Sequence, residues 1–172
     1  LGAAGIQVGT AFAYADESGI EPEIKAEVLR SLADGTVDVF TDPRASPTGF
    51  PFKVVRTPGL EQQDDSRPRV CDLGYLRVAH RRADGRLGYR CPSEPESTYL
   101  AAGGAEADTV GRRCLCNGLM SVVGLGQRRK DGSIEPPLLT SGDGVLDLSP
   151  LLGGRTSYTA AHVVEYLLGR GS

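Results

Sequence analysis

A glycine and a threonine at the end of a predicted strand form the first pattern that could do chemistry. Residues 5–12 read GIQVGTAF, and the β-branched Ile6 and Val8 between glycines predict a short strand that ends in a Gly9-Thr10 turn. Such a turn aims backbone N–H groups at one point, and the threonine hydroxyl adds a donor. The pattern therefore indicates a phosphate site, although an ordinary turn is the commoner explanation of this spacing alone.

Four cysteines form the second chemical pattern: Cys71, Cys91, Cys114 and Cys116. Four thiolates could make a tetrahedral zinc site in a loop-rich region that has little core of its own. No pair shows the usual Cys-x-x-Cys spacing, which favours four unlinked thiols packed as small hydrophobic side chains. A redox or iron–sulfur role is a third possibility, because arginines flank the cysteines and would stabilise thiolates.

The two histidines give weaker signals. His80 precedes two arginines near a predicted hairpin tip, and His162 lies in the last predicted helix. We expect both side chains at the surface and assign neither a catalytic role.

The first 42 residues, which would position the Gly9-Thr10 turn, are predicted to have an α/β arrangement. Pro22 suits the first turn of a helix, and apolar residues at helical spacing predict that helix over 23–33, followed by a glycine at its C-terminal end. Residues 36–41 alternate and are predicted to form a second strand. Strand, helix and strand in this order are typical of α/β proteins.

The character changes after residue 42, where Pro, Gly, Arg and Asp are frequent and periodicity is weak. We predict a turn-rich loop over 46–52, a hairpin over 75–89 with its tip at 83–85, and a short helix within 93–101. The apolar, glycine-rich stretch 117–126 is compatible with a further helix. The last helix is clearer: Thr159 caps residues 160–168, and the apolar stripe consists of Val163, Val164, Leu167 and Leu168.

Composition excludes several classes of protein. The 172 residues carry a net charge of −3 with no clustered excess of Lys and Arg, so we expect no nucleic-acid partner. The basic run 128–130 ends in Asp-Gly and is interpreted as a solvated turn. No stretch approaches the roughly 20 apolar residues of a membrane helix, and no secretion signal is visible, so we predict a cytoplasmic protein with reduced thiols.

The first residues also resemble a known family. Residues 1–12, LGAAGIQVGTAF, resemble the eighth-strand motif of nitronate monooxygenases, in which a Leu-Gly-Ala-x-Gly-Val-Gln-x-Gly-Thr-x-Phe pattern is common. The following Asp16-Glu17-Ser18-Gly19 also matches a Glu-Ser that is common after that strand. Position 11 is Ala where many relatives have Arg, which puts a local salt bridge in doubt but leaves the phosphate turn intact. The specific part of the resemblance ends with this block, and later segments match more loosely.

The resemblance implies a fold, a cofactor and a reaction. Residues 1–58 would be the last strand and helix of an FMN-binding TIM-type barrel, and 59–172 a mostly irregular cysteine-containing extension, with a candidate linker over 61–68. Gln7, Val8, Gly9 and Thr10 would contact the FMN phosphate. The full protein would oxidise alkyl nitronates with O2. The seventh-strand Gly-Gly motif and the catalytic histidine would lie upstream of Leu1, so we expect a C-terminal piece that is inactive alone.

Two alternatives remain open. A flavin-dependent enoyl reductase shares the phosphate motif, and the residues that separate it from a nitronate monooxygenase would lie upstream. The chain could also be a non-catalytic binding module stabilised by zinc on the four cysteines.

Overall fold

The chain folds into short helices and strands joined by long ordered loops. The computed structural model describes residues 2, 4–60 and 67–170. The helices are Thr10–Ala13 (α1), Pro22–Ala33 (α2), Glu96–Ala101 (α3), Leu115–Val122 (α4), Ser149–Leu152 (α5) and Ala160–Leu167 (α6), the strands are Asp38–Asp42 (β1), Phe52–Arg56 (β2), Val78–Arg81 (β3) and Leu87–Arg90 (β4), and 3-10 turns lie at Glu106–Asp108 and Asp143–Val145.

The four strands form two separate sheets, each an antiparallel pair. β1 pairs with β2 and β3 pairs with β4. The fold is thus a mixed α/β arrangement, and no closed barrel occurs within the part of the chain that the structure describes. The predicted mixture of helices and strands is confirmed at this coarse level.

The strand predicted over residues 5–12 is wrong. Residues 5–9 have no regular secondary structure, and Thr10–Ala13 form one helical turn. Ile6, one of the two β-branched residues behind the prediction, is 78% exposed. A strand needs a neighbour for its hydrogen-bond ladder, and neither sheet of the described residues places one beside this segment.

Helix α2 confirms the sequence prediction for local reasons. Pro22 occupies its first turn, where a missing N–H costs nothing, and Gly35 follows the helix with a φ of 68°. Ile24, Val28 and Leu29 lie on one face and enter the main core. The strand predicted over 36–41 forms as β1, shifted slightly toward the C-terminus.

The sequence analysis predicted no strand at β2, and its turn-rich loop over 46–52 ends at the first residue of that strand. Val54 and Val55 are both buried, so the strand lacks the alternation that identifies a half-exposed strand. Val55 packs in the main core while Val54 packs in a second, smaller one. Residues 139–141 continue the pairing, since Val55 N–H donates to Leu139 O at 2.9 Å. β2 therefore separates the two cores.

The hairpin predicted over 75–89 is confirmed as β3 and β4. Arg82 N–H donates to Arg86 O at 2.9 Å, which closes the turn at the predicted tip. Gly85 there has a φ of 81°, a conformation that side chains rarely adopt. Cys91 directly follows the last residue of β4, so the hairpin determines the position of that cysteine.

The main core draws on both halves of the chain. It combines residues of α2 and its preceding loop with residues after position 121, whereas the smaller core lies beside the cysteine-bearing loops. The predicted linker over 61–68 falls largely on residues 61–66, which are outside the described residues. The buried members of the main core are Tyr14, Ala15, Ile24, Val28, Leu29, Val55, Val122, Leu139, Val145, Leu148, Leu151, Leu152, Tyr158 and Val163; those of the smaller one are Ala45, Val54, Leu115 and Leu138.

Helix α6 forms where predicted, but its apolar stripe does not pack as a unit. Thr159 accepts a hydrogen bond from His162 N–H, and the His162 ring accepts one from Thr159 N–H, which completes a reciprocal cap. Val163 is fully buried, whereas Val164, Leu167 and Leu168 are exposed. Only the first turn of α6 therefore contacts the core.

We expect Gly118→Ala to destabilise the protein, although alanine normally favours a helix over glycine. A Cβ at this position would lie 2.6 Å from Leu138 Cβ and 3.3 Å from Leu138 N, so α4 and residue 138 would have to separate. Overpacking of this kind costs about 1–3 kcal/mol in the free energy of unfolding, measurable by urea denaturation. Gly144→Ala is the matched control, because its Cβ would meet only ordinary contacts. Equal stability of the two variants would contradict the prediction.

Candidate functional site

The predicted phosphate turn lies at the start of α1. Gly9 is the N-cap residue of this one-turn helix and Thr10 its first residue. Among the described residues, no carbonyl or side chain accepts a hydrogen bond from the N–H groups of Gly9 and Thr10. Gln7 and Gly9 are exposed, Val8 and Thr10 are half-buried, and a Cβ on Gly9 would meet no atom within 4 Å. The turn is thus open to a ligand and has unused donors.

The turn is anchored to the rest of the fold from two sides. Tyr158 OH donates to Ala11 O at 2.8 Å, which ties α1 to the segment before α6. The Thr10 side chain faces Gly144 in the second 3-10 turn. The position of the turn therefore depends on residues from the other end of the chain.

The four cysteines meet around one small cavity. Cys71, Cys91, Cys114 and Cys116 all line it, together with Arg77 and Ser93. Its volume is about 10 Å³, which is room for one water-sized particle. Cys91 and Cys114 are buried, and the other two are half-buried. The spacing of these cysteines along the sequence favoured four unlinked thiols, whereas the structure brings all four to one cavity.

The four cysteines reach the cavity from three local structures. Cys71 precedes a bend at residues 72–73, Cys91 follows β4, Cys114 is the N-cap of α4, and Cys116 lies in its first turn. Asn117 Nδ2 donates to Asp72 Oδ1 at 2.8 Å and joins the first of these segments to α4. The loops are therefore tied to one another by side-chain hydrogen bonds close to the cavity.

The buried thiols are in surroundings that disfavour the thiolate. Burial raises the pKa of Cys91 and raises the pKa of Cys114 to about 11. Smaller effects act in the opposite direction, because the Ser93 N–H lies near the Cys91 sulfur and the Asn117 N–H near the Cys114 sulfur. The Cys114 side chain makes no regular capping hydrogen bond at the start of α4. At neutral pH these two thiols are therefore protonated unless a cation replaces the proton.

Polar groups at the cavity wall are only partly satisfied. Ser93 is 5% exposed, and its hydroxyl lies near the Cys91 sulfur without forming a hydrogen bond of regular geometry among the described residues. Arg77 Nη2 donates to Cys71 O at 3.5 Å, and Arg77 Nε lies 3.6 Å from Glu94 Oε2. The Cys71 side chain raises the pKa of Arg77, since the guanidinium lies close to that sulfur. An Arg77–Glu94 ion pair and the Ser93 hydroxyl thus accompany the four sulfurs.

The basic run 128–130, interpreted as a solvated turn, is only partly exposed. Glu135 accepts hydrogen bonds from Arg67 and Arg129, and the exposed fractions of the three side chains are 3%, 9% and 5%. This buried triad connects residue 67 with the 128–135 turn. Sequence reasoning missed it because Arg67 lies 68 residues before Glu135, and contacts over such a separation leave no local pattern.

The two histidines take no part in either candidate site. His162 caps α6, as described above. His80 is half-buried on β3 and packs against Gly88 of β4. The structure gives His162 a local structural role that its sequence context did not reveal.

The cysteines surround a cavity rather than converge on a point. Within the described ranges, no three Cys, His, Asp or Glu side chains already adopt the arrangement of a metal site, and no helix there is long and apolar enough to span a bilayer. No family model, curated protein or solved structure matches the chain.

Proposed function

We propose that the chain is the C-terminal portion of an FMN-dependent nitronate monooxygenase with a TIM-type barrel, and that it supplies half of the FMN phosphate site. The observation that carries the proposal is the sequence block 1–12 with its Asp-Glu-Ser-Gly sequel at 16–19. Gly9 and Thr10 would hold the phosphate through their backbone N–H groups and the threonine hydroxyl. Gln7 and Val8 would line the same turn.

The local geometry is compatible with this role. The two N–H groups have no acceptor among the described residues, and the space above Gly9 is open. A phosphate brings several acceptor oxygens, which suits a cluster of unused donors. The flavin, when bound, supplies the electron transfer between alkyl nitronate and O2, while this chain's residues bind and orient its phosphate.

The test begins with the coding sequence in frame upstream of Leu1. We expect it to encode a Gly-Gly seventh-strand motif and an earlier catalytic histidine. The encoded protein should then purify with FMN and consume O2 when an alkyl nitronate is added. Consumption of an enoyl substrate with a reduced nicotinamide instead would favour the enoyl reductase alternative. An upstream sequence without either motif would refute the flavoenzyme proposal.

We expect Gly9→Glu in that protein to weaken FMN binding on the order of 100-fold, because a carboxylate would face the phosphate. A Cβ at this position would meet no atom within 4 Å in this structure, so the backbone of the turn can accept a side chain and the carboxylate charge should dominate the effect. Gly19→Glu is the matched control, since Gly19 is also open and has an ordinary φ. FMN bound per chain, measured by fluorescence after release, reports the effect. Equal FMN content in both variants would count against Gly9 as a phosphate ligand.

A further inference from the structure

We infer that Cys71, Cys91, Cys114 and Cys116 form a tetrathiolate site for a single zinc ion, which fastens the cysteine-bearing loop segments to α4. The carrying observation is that these four side chains, the only cysteines of the chain, line one cavity. Four sulfur ligands in tetrahedral geometry are the usual donor set of structural zinc.

The size of the cavity favours one ion over a cluster. Its volume of about 10 Å³ admits a single water-sized particle. An iron–sulfur cluster of two or four irons also carries inorganic sulfides and needs several times that space. The wall between the sulfurs includes Leu76 and Leu115, which leaves few other donors to compete with the thiolates.

The surroundings supply what a zinc tetrathiolate needs beyond its ligands. Such a centre has a net charge of −2, and Arg77, which also pairs with Glu94, lies beside Cys71 and offsets part of it. The N–H groups of Ser93 and Asn117 lie near the Cys91 and Cys114 sulfurs, and the buried Ser93 hydroxyl has no other partner among the described residues. Donors to metal-bound sulfur orient the ligand and hold its charge. Small movements of these groups would complete their hydrogen bonds once the thiolates form.

Binding involves no redox step. Four S–H bonds break, four Zn–S bonds form, and four protons leave to the solvent. The site would compensate for the smaller core, whose buried residues are Ala45, Val54, Leu115 and Leu138. Its stabilising role is independent of the proposed flavin site.

The test uses the untagged chain, purified without chelators and measured for metal by mass spectrometry. We expect about one zinc per chain. Replacement by Co²⁺ should give the intense visible absorption of a tetrahedral cobalt thiolate. Cys71→Ser, Cys91→Ser, Cys114→Ser and Cys116→Ser should each lose most of the bound metal and the cobalt spectrum. Ser93→Ala should retain one zinc, because the hydroxyl is not a ligand.

A variant of Arg77, which is not a ligand, distinguishes a metal site from a cluster of cysteines that only packs together. Arg77→Gln should keep the stoichiometry but weaken zinc affinity by about 10–100-fold in competition with a chromogenic chelator. Such a shift without a change in circular dichroism cannot come from misfolding. Less than a tenth of an equivalent of zinc, full zinc content after Cys71→Ser and Cys114→Ser, or a brown chain with sulfide-bound iron would each overturn the inference. None of these outcomes bears on FMN binding by the longer protein.

Discussion

Glu135→Gln should lower the free energy of unfolding by about 3–5 kcal/mol. The wild-type carboxylate is 3% exposed and neutralises two guanidinium groups that are 9% and 5% exposed. Removing its charge leaves Arg67 and Arg129 buried without an anion. Burial already lowers the pKa of the nearby Arg113, and Glu135 opposes that effect, so the anion serves a third cation as well. Urea denaturation followed by circular dichroism measures the loss.

Two further variants test whether the loss of a buried charge causes the lower stability of Glu135→Gln. Asp84→Asn removes an anion of the exposed pair with Arg86, whose side chains are 51% and 81% exposed, and should change stability by less than about 1 kcal/mol. Combining Glu135→Leu with Arg67→Met and Arg129→Met should restore most of the lost stability, because no buried charge of the triad then remains. If Glu135→Gln were as mild as Asp84→Asn, the triad would be solvated in solution.

Lys25→Met should cost about 2–4 kcal/mol, because one ammonium group closes the loop that follows α1. Lys25 is 7% exposed, and its Nζ donates to Ala15 O at 3.1 Å, Asp16 O at 2.8 Å and Ser18 O at 3.2 Å. Methionine keeps the length of the side chain and removes the donors. The 15–18 loop should then open more often, and amide hydrogen exchange at Ser18, whose N–H donates to Ala15 O, should accelerate.

Lys130→Met is the matched control, because Lys130 is exposed in the 128–135 turn and the chemical change is the same. Its effect should stay within about 0.5 kcal/mol. A Lys25→Met protein with wild-type stability and unchanged exchange at Ser18 would show that the three carbonyls find other donors. The loop also lies next to the Gly9-Thr10 turn, so the variant reports how firmly that turn is held.

Elements with local signals followed directly from the amino-acid sequence. Helix α2 has a proline at its start, an apolar stripe at helical spacing and a glycine after its end, so every signal lies between Pro22 and Gly35. Helix α6 and the β3–β4 hairpin likewise depend on a cap and on a turn that neighbouring residues form. Capping and turn formation are short-range, so the sequence alone determined them.

The sequence prediction made two errors that have one physical cause. It placed a strand over 5–12 that does not form, and it omitted strand β2. Whether an extended segment becomes a strand depends on a partner that the rest of the chain supplies. Residues 5–9 lack such a partner among the described residues, while β2 pairs with β1 and contacts residues 139–141. β2 also faces a core on each side, which erased the alternation by which a strand is recognised.

The two candidate sites differ in the same respect: one is built from adjacent residues, and the other depends on contacts between distant parts of the chain. The Gly9-Thr10 turn could be named from one contiguous block at the start of the chain, because a phosphate turn is built from adjacent backbone N–H groups. The cysteine site could be named only as one of several possibilities, because its spacing lacks the usual pairing and its four thiols come from three separate segments. The tertiary structure alone brings them to one cavity, and in the same way it buries Glu135 between two arginines, one of them distant in the sequence. Long-range packing decides such contacts, and no local pattern encodes them.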